Sequence, residues 1–263
     1  MKIGIIGSES THANAFAEIL RKMNIETVID DNLSASFDLD GVMIVSRDGN
    51  AHKTQALPFI EAKIPVWIDK PLAVDYKDAE EIINAAKLHN TLITGGSMVK
   101  FSSELITLEK RIKIGGFGEI TATNLGFPII LDSPYNGFHF YGHHLIELML
   151  MLFGHDIKSV RAFEKNGGVV CMARYNNIDV VLNFFRLVTW DGYGVIWGSE
   201  ACELQKFDLS NAYEDGVRVF VNMIETREEP MPHDRLMFPI KIAHAIEKSY
   251  IEDKEVELWG NKG

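Results

Sequence analysis

Strand-like and helix-like runs alternate from Lys2 to Gly96, and this constrains the fold more than any other feature. Lys2 to Ile6 is a short β-branched run closing at Gly7, and Asn14 to Met23 carries apolar residues at helical spacing. Glu26 to Ile29 reads as a second strand, ending at Asp30 and Asp31. Gly41 to Val45 reads as a third, with a turn at Asp48-Gly49-Asn50 and a helix from His52 to Ala62. Ile64 to Ile68 is a buried-type strand, followed by a helix over Asp75 to His89 and a strand from Thr91 to Thr94. Repeated βαβ units predict a doubly wound parallel sheet with helices on both faces.

After Gly115-Gly116 strand signals follow one another, at 119–125, 158–163, 168–175, 179–187, 192–198 and 202–207. Asn176-Asn177 marks a hairpin. Helical patterns over 140–153, 216–226 and 233–250 interrupt them. The expectation is an α+β domain with an open, mainly antiparallel sheet, and two domains, 1–117 and 118–263.

Net charge is 26 − 37 = −11. Phosphate contact needs clustered Lys and Arg, so nucleic-acid and anionic-membrane binding are not expected. The richest apolar run, Leu145 to Phe153, contains Glu147 and is too short to span a bilayer. The first residues turn polar at once, and a cytoplasmic location is expected. Cys171 and Cys202 lie in apolar strand-like runs and are expected as reduced core residues.

Asp69-Lys70-Pro71 closes the fourth strand. Ligands of open α/β sheets bind outside the carboxyl ends of the strands, so Lys70 is a candidate catalytic residue held by Asp69. The first strand–helix turn reads Gly7-Ser8-Glu9-Ser10-Thr11-His12. A dinucleotide turn would be G-x-G-x-x-G, and only Gly7 matches; Glu9 and His12 replace the later glycines. Gly7, Ser8, Ser10, Thr11 and His12 are candidate cofactor ligands, although a plain strand–turn–helix accounts for the run as well. Asp30, 23 residues after Gly7, is where a ribose hydroxyl would be held, and an acid there favours NAD over NADP. Ser46 and His52 flank a loop placed to fold over a cofactor.

His139, His143 and Glu147 recur every fourth residue and share a helix face, a pattern suited to substrate binding or acid–base work. The spacing also suits Zn²⁺, but no further ligand stands at a recognisable interval, and no metal is expected. His144, one residue off that face, is placed to reach a ligand. Trp190, Tyr193 and Trp197 would stack on a sugar ring or pack the sheet.

Together these segments resemble the Gfo/Idh/MocA oxidoreductases, over nearly the whole chain. Val66-Trp67-Ile68-Asp69-Lys70-Pro71-Leu72-Ala73 is similar to the family's E-K-P segment, with Asp for Glu. Gly96 to Phe101 is similar to its G-[FY]-x-x-R-[FY] strand end, with Lys100 for the arginine. Gly142 to Glu147 is similar to its D-x-G-x-H-x-x-D helix, with His144 on the histidine and Phe140 where the first Asp belongs. The resemblance implies a Rossmann-type domain, then an α+β domain whose sheet forms homo-oligomers. It implies hydride transfer between NAD or NADP and a sugar, polyol or related hydroxy compound. Lys70 and His144 then take catalytic roles, with Lys100 among the substrate ligands. The altered turn and Phe140 leave a second expectation open, a catalytically silent relative that binds a small molecule or a partner.

Overall fold

The computed structural model describes residues 1–35 and 38–258. In chain order the first elements are β1 (Lys2–Ile6), α1 (Thr11–Lys22), β2 (Glu26–Ile29), β3 (Gly41–Ile44), α2 (His52–Glu61), β4 (Val66–Asp69), α3 (Tyr76–His89) and β5 (Ile93–Gly96). A 3-10 turn at Met98–Phe101 leads to α4 (Ser103–Lys113), β6 (Ile120–Ile129), α5 (Phe138–Phe153), β7 (Ser159–Lys165), β8 (Gly168–Arg174) and β9 (Asp179–Arg186). The chain ends with β10 (Tyr193–Gly198), β11 (Cys202–Lys206), α6 (Ala212–Thr226), α7 (His233–Ile251) and β12 (Val256–Glu257). Contacts divide it into two compact units, Met1–Ser102 with Ser210–Ile240, and Ser103–Leu209 with the residues from Lys241 onward.

The first unit is the expected parallel sheet, in the order β2-β1-β3-β4-β5. β3 and β4 are buried at every position, as strands covered on both faces are. Alternation along β4 sends Val66 and Ile68 into a core with Phe59 of α2 and Ile82 of α3. Trp67 goes into the opposite core with Phe16 of α1 and Phe220 of α6. Helix ends follow local chemistry. The Ser10 side chain accepts from the His12 amide to start α1, and Asp75 accepts from Lys77 to start α3. Asn90 ends α3 in the left-handed conformation, at φ 54°.

The second unit carries a seven-stranded sheet ordered β11-β10-β6-β9-β8-β7-β12. It is mixed: β6 and β9 run parallel, and every other pair is antiparallel. The hairpin at Asn176-Asn177 joins β8 to β9, closed by the Tyr175 amide on the Ile178 carbonyl at 2.9 Å. α5 is apolar on nearly all sides and packs on β6 and β9, with α4 against it. The sequence reading lacked α4, although Leu105 and Leu108 are its buried positions at helical spacing. Cys202 departs from expectation: it is exposed on the edge strand β11, whereas Cys171 is buried, and both thiols are free. Cys202 pairs with Trp197 and shares its exposed face of the sheet.

Candidate active site

The β1–α1 turn is built on Gly7, at φ 109°. A Cβ there would fall 2.3 Å from the Ser46 backbone nitrogen, so the turn packs on the end of β3 at a distance only glycine allows. The Asp31 carboxylate accepts from the Gly7 amide at 2.8 Å, the Ser8 amide at 2.9 Å and the Ser8 hydroxyl. These bonds, the Ser8 hydroxyl first, hold Asp31 below the usual carboxylate range. Asp30 turns instead to the Asn32 amide, at 2.8 Å. Glu9 reaches across to accept from the Arg47 amide at 2.9 Å. Its carboxylate thus ties the first turn to the loop after β3.

At the end of β4, Asp69 and Lys70 are both buried, and the Lys70–Pro71 peptide is cis. Asp69 Oδ2 lies 2.6 Å from His12 Nδ1, and His12 Nε2 lies 2.9 Å from the Tyr213 hydroxyl. His12 stacks on Phe16, with ring centroids 5.2 Å apart. Burial pushes the Asp69 carboxyl up, but His12 and Lys70 together outweigh it and hold it below its ordinary value. Asp69 Oδ1 is buried and has no hydrogen-bond partner among the described residues. His52, expected beside a cofactor, is buried with Nε2 on the Ser46 carbonyl and Nδ1 on the Pro71 carbonyl, each at 2.8 Å. It pins the loop after β3 to the loop after β4. Lys100 sits in the 3-10 turn, with its ammonium 5.2 Å from the Phe101 ring centroid.

In the second unit His139, His143 and Glu147 are buried on α5, and His144 is half-buried with its ring 5.3 Å from that of Phe127. His139 Nε2 meets Glu247 of α7 at 2.9 Å, and the His139 ring lies tilted against that of His244, with centroids 4.5 Å apart. One ligand-capable atom from each of His139, His244 and Glu247 lies within 4.8 Å of the others. Phe140 packs on Tyr135 and Tyr141.

Sequence reasoning missed Asp31, Tyr213, His244 and Glu247. Asp31 was adjacent to the residue chosen, and one-residue precision at a strand end lies beyond spacing arguments. His244 and Glu247 stand three apart on a helical pattern, which was a usable signal. Nothing in the sequence links Tyr213 to His12, which is 201 residues away.

Residues 1–96 match a family model described as "Oxidoreductase family, NAD-binding Rossmann fold". Over 142 residues the chain is 28% identical to inositol 2-dehydrogenase of Mycolicibacterium gilvum, covering 51% of this chain and 40% of that enzyme. An uncharacterized oxidoreductase of Streptococcus pneumoniae is 27% identical over 261 residues, covering 87% of this chain and 69% of the relative. The chain therefore matches well under half the length of the inositol 2-dehydrogenase. Among solved structures, myo-inositol 2-dehydrogenase from Lactobacillus plantarum superposes with a TM-score of 0.84 at 16% identity, covering 98% of this chain and 99% of that one. Scyllo-inositol dehydrogenase from Lactobacillus casei, solved with NAD(H) and scyllo-inositol, gives 0.82 at 17% identity, covering 98% of this chain and 99% of that one. Among the described residues no helix is long and apolar enough to cross a membrane.

Proposed function

Starting from a Gfo/Idh/MocA-type oxidoreductase fold, we propose that this chain moves a hydride between NAD(P) and the CH–OH group of a sugar, polyol or related hydroxy compound. One observation carries the reading: Asp69 and Lys70 lie buried at the carboxyl end of an interior parallel strand, with Asp69 hydrogen-bonded to His12 of the cofactor-type turn. The residues present fit a dinucleotide. The Gly7 turn opens α1, whose N-terminus favours a pyrophosphate; Asp31, just after β2, is a carboxylate bonded to that turn; and Asp69 Oδ1 is a buried acceptor in want of a donor.

The turn from Gly7 to His12, with Ser46 and His52 bracing the next loop, holds the dinucleotide. Asp31 accepts from the adenosine ribose and opposes a 2′-phosphate, which favours NAD. When bound, the nicotinamide supplies the hydride acceptor. Lys70 donates to the substrate oxygen and stabilises the negative charge that develops there. For His144, in the second unit, its place in the family motif implies an acid–base role. Lys100, His139, His143 and Glu147 are the proposed substrate ligands. The first unit is the dinucleotide-binding part and the second the substrate and oligomerisation part, and the protein works in the cytoplasm.

The test is a fluorescence titration with NADH and NADPH, followed by turnover assays with myo-inositol, scyllo-inositol and glucose. Saturable NADH binding at micromolar levels and substrate-dependent NADH formation are expected. Absence of saturable binding up to millimolar cofactor would overturn the proposal. Lys70→Met keeps the aliphatic volume and should lower kcat by about 10³-fold, on the scale of losing one transition-state hydrogen-bond donor.

A catalytically silent relative is the second reading, favoured by Glu9 at the second glycine position and Phe140 in the motif helix. Turnover in the same assay eliminates it. For the homo-oligomer, Trp197, Leu204, Val170 and Phe163 are exposed on one face of the second sheet, related by cross-strand register through β6 and β9. Trp197→Glu should yield monomers by light scattering.

A further inference from the structure

We propose that His12 and Tyr213 are positioning residues that act through Asp69, holding its carboxylate so that Oδ1 is left to receive a donor in the loaded site. The inference rests on the oxidoreductase reading and gives it two residues that the family motifs do not name in this role. His12 stands where a dinucleotide turn would carry its third glycine. In this chain the side chain is committed at both nitrogens, to Asp69 Oδ2 at 2.6 Å and to the Tyr213 hydroxyl at 2.9 Å.

The direction of this chain of bonds follows from its ends. The Tyr213 hydroxyl is pushed up to about 12 by burial and by the Asp69 charge, so it keeps its proton and donates to Nε2. The ring then carries its own proton on Nδ1 and donates it to Asp69. Phe16 stacks on His12, and Tyr213 meets both rings edge-on, with centroids 5.0 Å from His12 and 5.4 Å from Phe16. These contacts fix the imidazole plane. A carboxylate with one oxygen fixed has the other fixed as well. Oδ1 is thereby presented, buried and without a partner among the described residues, at the strand end that carries Lys70.

An acceptor left bare inside a protein is costly unless a ligand or a moving side chain satisfies it. The Lys70 charge and backbone amide already help to hold the carboxylate ionised, and a hydroxyl or N–H of a bound ligand is the further donor that Oδ1 admits. Tyr213→Phe keeps the ring that packs on His12 and Phe16 and removes only the hydroxyl.

The test is a double-mutant cycle on the full chain with NAD and the polyol that turns over. Alone, His12→Ala should lower kcat roughly 30-fold with KM changed less than about 3-fold, and Tyr213→Phe roughly 5-fold, within the range of groups that act by orienting others. In the Asp69→Asn background the further loss from His12→Ala should shrink to less than about 3-fold, because residues acting as a unit are not additive. Additive losses would overturn the inference and leave the oxidoreductase reading standing. Failure of NADH binding and of all turnover would overturn both. Should the His12 variant not fold, ¹⁵N NMR of histidine-labelled wild type serves instead. A proton on His12 Nδ1 with a bare Nε2 that responds to Tyr213→Phe is expected. The opposite tautomer overturns the inference.

Discussion

His12 meets Asp69 at 2.6 Å in the first unit, and His139 meets Glu247 at 2.9 Å in the second. Both imidazoles are largely buried. The carboxylates differ: the Asp69 side chain is 5% exposed and that of Glu247 33%. A carboxylate open to water replaces a lost partner with solvent, whereas a buried one cannot. The same pair of groups is therefore a surface-type bridge between α5 and α7 in one unit and a committed polar centre at the end of β4 in the other.

The largest effect expected from this contrast is on stability. Asp69→Asn should cost about 2–3 kcal/mol at pH 7, the range for a charge-assisted hydrogen bond out of water, while Glu247→Gln should cost at most about 1 kcal/mol. Urea unfolding of the two variants beside wild type measures both. Equal losses would break the comparison.

Acid should expose the same difference. Asp69 titrates below its ordinary 3.8 because His12 and Lys70 outweigh its burial, so its contribution is complete above pH 3.8 and is lost as pH falls through the lowered value. The stability gap between wild type and Asp69→Asn should close as pH falls below about 4. Glu247 is likewise held below its ordinary 4.5, chiefly by the His139 hydrogen bond, and its smaller gap should begin to close from pH 4.5 downward. Thermal midpoints across this range read both. A gap for Asp69→Asn that widened as pH fell below about 4 would contradict the sign.

The two centres also differ in how far the sequence revealed them. The parallel sheet was legible because each strand and helix is coded locally, by β-branched runs, helical spacing and caps such as Ser10 and Asp75. The place of Lys70 at the end of β4 was legible because a strand's end is a local fact. His12 is legible as a turn residue, but its partner lies 57 residues on, and no spacing rule encodes a contact between the start of α1 and the end of β4. His139, His143 and Glu147 lie on one helix, α5, as their spacing predicts, and all three are buried. What His139 bonds to was not legible, because α7 arrives after six further strands and helices and brings Glu247 and His244 from outside any local pattern.

The smallest expected effect lies at Glu9, where the exposed carboxylate contrasts most with Asp69. Its Oε1 accepts from the Arg47 amide across two loops, in water, so Glu9→Gln, which keeps an acceptor oxygen, should change stability by no more than about 0.5 kcal/mol. The charge is another matter, because it sits in the turn that would face a pyrophosphate. Two exposed like charges several ångströms apart interact by about 1 kcal/mol or less at ordinary ionic strength. Glu9→Gln should therefore tighten NADH binding by about 3-fold, and the gain should fade as salt is raised from 0.05 to about 0.5 M. Titrations at the two salt concentrations measure it. Unchanged affinity at low salt would mean that the Arg47 amide already draws the carboxylate clear of the bound anion, and that the turn tolerates glutamate because of that bond.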